Sequence, residues 1–273
     1  CYHNLSQDND NSIALITGAG SGIGRALAIE ASQRGMQVIA TDINEAYLEE
    51  TAQLLTGPSK TLVLDVANPD AIEAFSRDII PQLAGKRLYL FNNAGISLVG
   101  GSFARTDLSD FRKLIDINLW GTVTTTKHFL PYLLEQNSGH IINISSIMGM
   151  LGIARQVAYC TSKFAVRGFT ESLRMELFGT QIKTLCVHPG AVQTNIVNDS
   201  LIGQNHTEQH RDKLADTFRG FGGLSSEQAA QAIFQAIDQG QERLVLGEDA
   251  KEMYNLVTAM PVKYTAELVK SMG

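Results

Sequence analysis

The sequence predicts an α/β fold, a doubly wound parallel sheet of seven strands with helices on both faces. Two observations carry that prediction. Short, almost continuously apolar runs alternate with longer helix-like stretches along the 273 residues, the pattern of strands buried on both faces. The first of these runs also leads directly into a glycine-rich turn that opens a helix. Ser12–Thr17 (S-I-A-L-I-T) is the first strand, and R-A-L-A-I-E-A-S-Q-R-G, after the turn, is a helix that stops on Gly35, where glycine tolerates the left-handed conformation that ends helices. M-Q-V-I-A-T-D is the second strand, and K-T-L-V-L-D, after the turn Gly57-Pro58, is the third. R-L-Y-L-F-N is the fourth, H-I-I-N-I-S the fifth, K-T-L-C-V-H the sixth and R-L-V-L-G the seventh. Helical patterns lie between them, including Asp107–Gln136 and Val157–Phe178. No break in composition divides 12–273, so these residues are expected to form one domain, preceded over 1–11 by a polar arm or artificial extension.

Hydrophobic residues make up 44% of the chain and charged residues 18%, enough apolar material for a sizeable core. A net charge of -6 with no run of Lys or Arg argues against a nucleic-acid surface. Cys1, Cys160 and Cys186 are odd in number and lack metal-ligand spacing. They point to a reducing, cytoplasmic setting, with no metal expected. No apolar run reaches the length of a membrane span, and the first dozen residues lack a signal peptide's apolar stretch.

T-G-A-G-S-G-I-G-R, Thr17 to Arg25, sits between the first strand and the first helix. Glycines at Gly18, Gly22 and Gly24 allow a tight turn and bring backbone N–H groups up to a pyrophosphate at a helix N-terminus. Asp42 ends the second strand, where a carboxylate can hydrogen-bond the ribose hydroxyls of a dinucleotide and repel a 2′-phosphate. Ile43 and Asn44 follow it, with no Arg, so NAD is expected in preference to NADP. Tyr159 and Lys163, in Y-C-T-S-K, are four positions apart and so share one face of a helix.

These residues together resemble the short-chain dehydrogenase/reductase family in its compact single-domain, Rossmann-type form. The resemblance runs from about Ser12 to the seventh strand, through T-G-A-G-S-G-I-G, N-N-A-G (Asn92 to Gly95), D-I-N-L-W-G, Ser145, Y-C-T-S-K and H-P-G-A-V-Q-T (His188 to Thr194). It implies a catalytic set of Asn118, Ser145, Tyr159 and Lys163. It implies a cofactor site built from Gly18, Ser21, Gly22, Ile23, Gly24, Asp42, Asp65, Val66, Asn93, Ala94, Gly95, Tyr159, Lys163, Pro189, Gly190, Val192 and Thr194. Asn92 would support the sheet. The family also implies a homodimer or homotetramer through the Asp107–Gln136 and Val157–Phe178 helices.

The chemistry fits those residue types. Oxidising an alcohol by hydride transfer releases one proton, which a positioned acid/base must take. A free tyrosine titrates near 10, and a cation a few ångströms away favours its phenolate. Lys163 is expected to play that part for Tyr159 and also to hold the nicotinamide ribose. Ser145 is expected to hydrogen-bond the substrate oxygen, with Asn118 linking Lys163 to solvent. Cys160 reads as packing, and His188, before a proline in a loop, is a minor candidate for substrate contact.

Around the substrate, S-I-M-G-M-L-G-I after Ser145 reads equally as an apolar wall or as packing. Residues 195–223, with Phe218 and Phe221, suit a lid. The segment 248–273 is an extension that can cover the mouth, meet a neighbouring subunit or touch a membrane surface. The expected activity is NAD-dependent hydride transfer with an apolar secondary alcohol or ketone. The alternatives are an NADPH-dependent 3-oxoacyl thioester reductase and a non-catalytic NAD sensor.

Overall fold

A computed structural model describes residues 11–99, 101–193, 200–203, 208–209 and 223–271. Seven parallel strands form the central sheet: β1 (Ser12–Thr17), β2 (Gln37–Asp42), β3 (Ser59–Val63), β4 (Arg87–Asn92), β6 (Gly139–Ile144), β7 (Ile182–Pro189) and β11 (Arg243–Leu246). The two-residue strands β5 (Leu98–Val99), β8 (Val192–Gln193), β9 (Leu201–Ile202) and β10 (Leu224–Ser225) pair outside it, β5 with β9 and β8 with β10. The order across the sheet is β11-β7-β6-β4-β1-β2-β3. Connections run outward in both directions from β1 and β4, so a crevice opens beyond the carboxyl ends of these two strands, where ligands bind in such sheets.

The helices are α1 (Gly22–Gln33), α2 (Glu45–Leu54), α3 (Pro69–Ile79), α4 (Leu108–Ile115), α5 (Gly121–Gln136), α6 (Val157–Glu176), α7 (Ser226–Asp238), α8 (Glu248–Ala259) and α9 (Tyr264–Ser271). Alternation along each strand sorts the core into two layers. Ala14 and Ile16 of β1 join Leu27, Ala31, Phe91, Ile233 and Phe234 on the α1/α7 face. Ile13 and Leu15 join Ile79, Phe129, Leu133 and Leu173 on the α3/α5/α6 face. Burying each such side chain contributes about 1.5–3 kcal/mol. Burial on both faces is why the strands read as unbroken apolar runs.

Two differences from the sequence expectation bear on the site. The stretch expected as one helix over Asp107–Gln136 is α4 and α5 joined by a π-helical turn, Asp116–Trp120. A π turn widens the helix by one residue, and this one buries Asn118 against the crevice. The segment after Ser145 is packing: Ile147, Met150 and Leu151 are buried with Ala250, against Met253, Tyr254, Val257, Tyr264 and Leu268 of α8 and α9. Tyr264 Oη also accepts the Gly152 N–H at 3.0 Å.

Candidate active site

The glycine turn is held from the end of β4. Asn93 Nδ2 donates to Thr17 O and Gly18 O, each at 3.0 Å, and Thr17 Oγ1 accepts the N–H groups of Asn93 and Ala94, each at 3.1 Å. Asn93 and Ala94 therefore shape the loop from behind. Gly18, at φ +67, sits where an added Cβ would lie 2.7 Å from Ala94 Cα. A Cβ on Gly24 would lie 2.0 Å from Gly18 O. A side chain at either position would push the turn out of the crevice, which is the property a phosphate cradle needs. Ser21 precedes α1 as its N-cap residue without making a side-chain cap bond, which leaves the N–H groups of the helix start unclaimed by it. Ile23, in the first turn of α1, is half-buried and packs against the core. Gly24→Ala is expected to raise the dinucleotide dissociation constant at least about tenfold, measured by calorimetry, because the added methyl meets the backbone oxygen of Gly18, which cannot swing aside as a side chain can. Wild-type affinity in that variant would remove the cradle from the argument.

Asp42 closes the adenosine end. Its Oδ2 accepts the Gly20 N–H and its Oδ1 accepts the Asn44 N–H, each at 2.9 Å. Arg25 is not available to a 2′-phosphate here, because its guanidinium donates to Gly20 O and Tyr47 O and pairs with Glu50 at 2.7 Å. Asp65 caps a turn by accepting the Ala67 N–H at 2.9 Å. Val66 is buried against Gly121, so its contribution is to the wall behind the pocket. Ile43, exposed at 66%, is an apolar surface beside Asp42 on which an adenine ring can stack.

Lys163, Tyr159, Asn118 and the serines after β6 gather at the carboxyl ends of β4 and β6. Lys163 is buried, and its Nζ donates to Ile144 O at 2.9 Å and lies 5.6 Å from the Tyr159 ring centre. Gly95 faces this ammonium: an added Cβ there would stand 3.3 Å from Lys163 Nζ and from Asn118 Oδ1. Asn118 accepts the Ile96 N–H at 2.8 Å and donates to Ile96 O at 2.9 Å and Ser162 Oγ at 3.1 Å. It locks the N-N-A-G segment to α6, and its hydrogen bonds do not reach Lys163.

The serine expected in this cluster was Ser145, and the structure corrects that. Ser145 Oγ donates to Lys163 O at 2.8 Å and is packed against Gly149, turned into the protein. The hydroxyl that lies by the Tyr159 phenol and favours its ionised form belongs to Ser146. β6 ends at Ile144, so two adjacent serines follow it and face different ways.

Burial works against the expected electrostatics. It pushes the Tyr159 phenol up to about 12, an effect the Ser146 hydroxyl only partly offsets. Burial pulls the Lys163 ammonium down to about 8. In this arrangement Tyr159 holds its proton at neutral pH. Favouring the phenolate needs a further positive charge, such as oxidised nicotinamide carries.

On the far side, Pro189 ends β7, Gly190 donates its N–H to Leu246 O at 2.8 Å, and Val192 lies in β8. Asp249 accepts the Ala191 N–H at 2.7 Å and fills the space beside Gly190. Thr194 lies outside the described residues, as do Phe218, Phe221 and most of 195–223. His188 is fully buried in β7, with Nδ1 3.0 Å from Ser146 O, and it does not reach the crevice. Cys160 is buried, and its Sγ accepts the Ile153 N–H at 3.5 Å. Among the described residues no group of acidic, His or Cys side chains is arranged to hold a metal ion, and no helix is long and apolar enough to cross a membrane.

The profile of the family described as short chain dehydrogenase matches residues 12–204. The chain belongs to the short-chain dehydrogenase family. It is therefore an oxidoreductase acting on a CH–OH group with a nicotinamide dinucleotide. The dehydrogenase is 36% identical over 260 residues to a putative oxidoreductase, SadH, of Mycobacterium tuberculosis, covering 93% of each chain. It superposes with a TM-score of 0.79 on a short-chain dehydrogenase/reductase from Burkholderia phymatum in complex with NAD, at 26% identity over 87% of this chain and 89% of that one. It superposes with a TM-score of 0.74 on a closed serine dehydrogenase complexed with NADP+, at 30% identity over 82% and 88% of the two chains.

Three features of the dehydrogenase escaped sequence reasoning. Ser146 was hidden by its neighbour, because two serines at a strand end give no phase from which to choose. The apolar Ile43 was visible beside Asp42 and carried its own signal. Asp249 could not be found, since nothing local relates it to Ala191, 58 positions away.

Proposed function

We propose that the protein is an NAD(H)-dependent dehydrogenase of a secondary alcohol or its ketone, with Tyr159 as the acid/base. The observation that carries this is the Tyr159 phenol set beside a buried Lys163, with Ser146 next to it, at the mouth of the glycine-walled crevice. Bound nicotinamide supplies the hydride acceptor or donor. Tyr159 takes or returns the hydroxyl proton, Ser146 fixes the substrate oxygen in place of Ser145, and Lys163 holds the ribose and favours the phenolate. Asn118 keeps Lys163's surroundings rigid. Gly18, Ser21, Gly22, Ile23 and Gly24 form the pyrophosphate turn, with Asn93 and Ala94 behind it. Ile43, Asp65 and Val66 border the adenine, and Gly95, Pro189, Gly190, Val192 and Thr194 border the nicotinamide. Leu98, Phe103 and Val157 beside Tyr159 support a substrate with an apolar body.

NAD is favoured over NADP because the Asp42 carboxylate would meet a 2′-phosphate and Arg25 is already paired. Like charges about 4 Å apart cost about 1–4 kcal/mol, so kcat/KM for NAD should exceed that for NADP by on the order of tenfold or more. Asp42→Ala should shrink that ratio by a similar factor. Assays of both chains with both dinucleotides check this, and a wild-type preference for NADPH would overturn the role of Asp42 and favour the thioester-reductase reading. The extension 248–273 belongs to the same catalytic unit, supported by its packing on the segment after Ser146. A homodimer or homotetramer is supported by exposed Trp120, Leu134, Phe164, Met175 and Phe178 on or beside α5 and α6. Free, buried Cys160 and Cys186 accord with a cytoplasmic setting.

A further inference from the structure

A shallow depression opens beside Tyr159, lined by apolar Leu98, Phe103 and Val157 and by polar Thr106, Arg155 and Gln156. Arg155 is exposed and sits at φ +66, a left-handed conformation that costs a long side chain on the order of 1 kcal/mol or more. Its guanidinium has no hydrogen-bond or ion-pair partner among the described residues, and of the arginines in that state it is the one that lines the depression beside Tyr159. The Gln156 side chain is equally uncommitted, because it makes no cap bond to α6. No carboxylate competes from the opposite wall: Asp107, next to Thr106, is engaged by the Ser109 N–H and hydroxyl, each at 2.7 Å. A protein of net charge -6 thus presents an unopposed, forked cation on the rim of the pocket that holds its acid/base.

We propose that Arg155, with Gln156 beside it, receives a carboxylate on the substrate, so that the enzyme acts on a short hydroxy acid or its oxo acid and not on a neutral alcohol. The proposal rests on the reading of Tyr159 as the acid/base. The guanidinium fork matches the two carboxylate oxygens, and the amide of Gln156 adds a third donor. Leu98, Phe103 and Val157 line the same depression and offer apolar contact to the carbon body of such an acid.

The test uses the full chain with NAD and 2- and 3-hydroxy acids of four to six carbons, each matched with its methyl ester. The acids should exceed their esters in kcat/KM by on the order of tenfold or more. In Arg155→Gln that ratio should collapse through the KM of the acid, and Arg155→Lys should restore part of it. Calorimetric titration of the same acids into NADH-loaded enzyme reads the site without turnover, and binding should be lost in Arg155→Gln. Esters oxidised while acids neither bind nor react would overturn the carboxylate site and leave the dehydrogenase reading intact. Acids that bind through Arg155 with no turnover of any pair would uphold the site and overturn the role of Tyr159. An acid-to-ester ratio unchanged in Arg155→Gln would also overturn the proposal.

Discussion

Tyr159→Phe is expected to lower turnover by about 10²–10⁴-fold, the range that a positioned acid/base contributes, while dinucleotide affinity stays within a few-fold. On the proposed reading the phenol exchanges a proton with the substrate, and removing its oxygen leaves the ring, its packing and Lys163 in place. Ser146→Ala should follow it in direction, because the Ser146 hydroxyl beside Tyr159 favours the phenolate. Ser145→Ala should instead lower the melting temperature, because it breaks the 2.8 Å bond to Lys163 O within the protein. Single-turnover rates and calorimetric affinities measured side by side separate these effects. A phenylalanine variant that keeps more than about a tenth of wild-type turnover would move the acid/base elsewhere.

The second large effect is on stability in mild acid. His140 stacks on Tyr89 at 4.6 Å between ring centres, and burial, with smaller contributions from Arg87 and Lys183, pulls its pKa down to about 3. His188 is pulled down to about 4, again chiefly by burial, with Arg167 and Arg243 adding to the shift. Both folded-state values lie below the ordinary 6.5 of the unfolded chain. As pH falls below 6.5 the unfolded chain takes up protons that the folded chain refuses, so stability is present above that pH and is lost on acidification down to about 4. Each histidine contributes about 1.4 kcal/mol per pH unit in that window, so the pair contributes about 2.7 kcal/mol. At pH 5 the loss is roughly 4 kcal/mol, a large part of the 5–15 kcal/mol typical of a domain. Glu171, held low by Arg167 and Arg243, begins to count only below its own ordinary range. Urea unfolding at pH 5, 6 and 7 measures the slope, and His140→Phe, which keeps the stack, should halve it. A free energy that stays flat over that range would mean the two rings are solvated.

Much of this fold was legible because burial on both faces leaves a plain mark. R-L-Y-L-F-N maps onto β4 residue for residue, and the remaining sheet strands begin or end within two residues of expectation. What was not legible has physical reasons. Strands of two residues, such as Leu98–Val99, are too short to show any period. The π turn around Asn118 differs from an α turn by one residue, which composition does not register. His188 was expected in a loop because a proline follows it, yet Pro189 can close β7 as its last residue, where its missing N–H removes little from the ladder. Tyr159 and Lys163 were correctly brought to one face by their spacing. The direction in which their proton affinities move depends on desolvation, and only the packed protein reveals that. The apolar run after the serines was ambiguous because its partners, Met253 and Leu268, lie about a hundred residues further along.

The packing of α8 and α9 beneath Ile147, Met150 and Leu151, together with the Asp249 contact at Ala191, joins the serine segment and the wall around Gly190 to residues 249–268. A substitution that loosens either helix, far from the glycine turn in sequence, would therefore be felt at both of these walls at once.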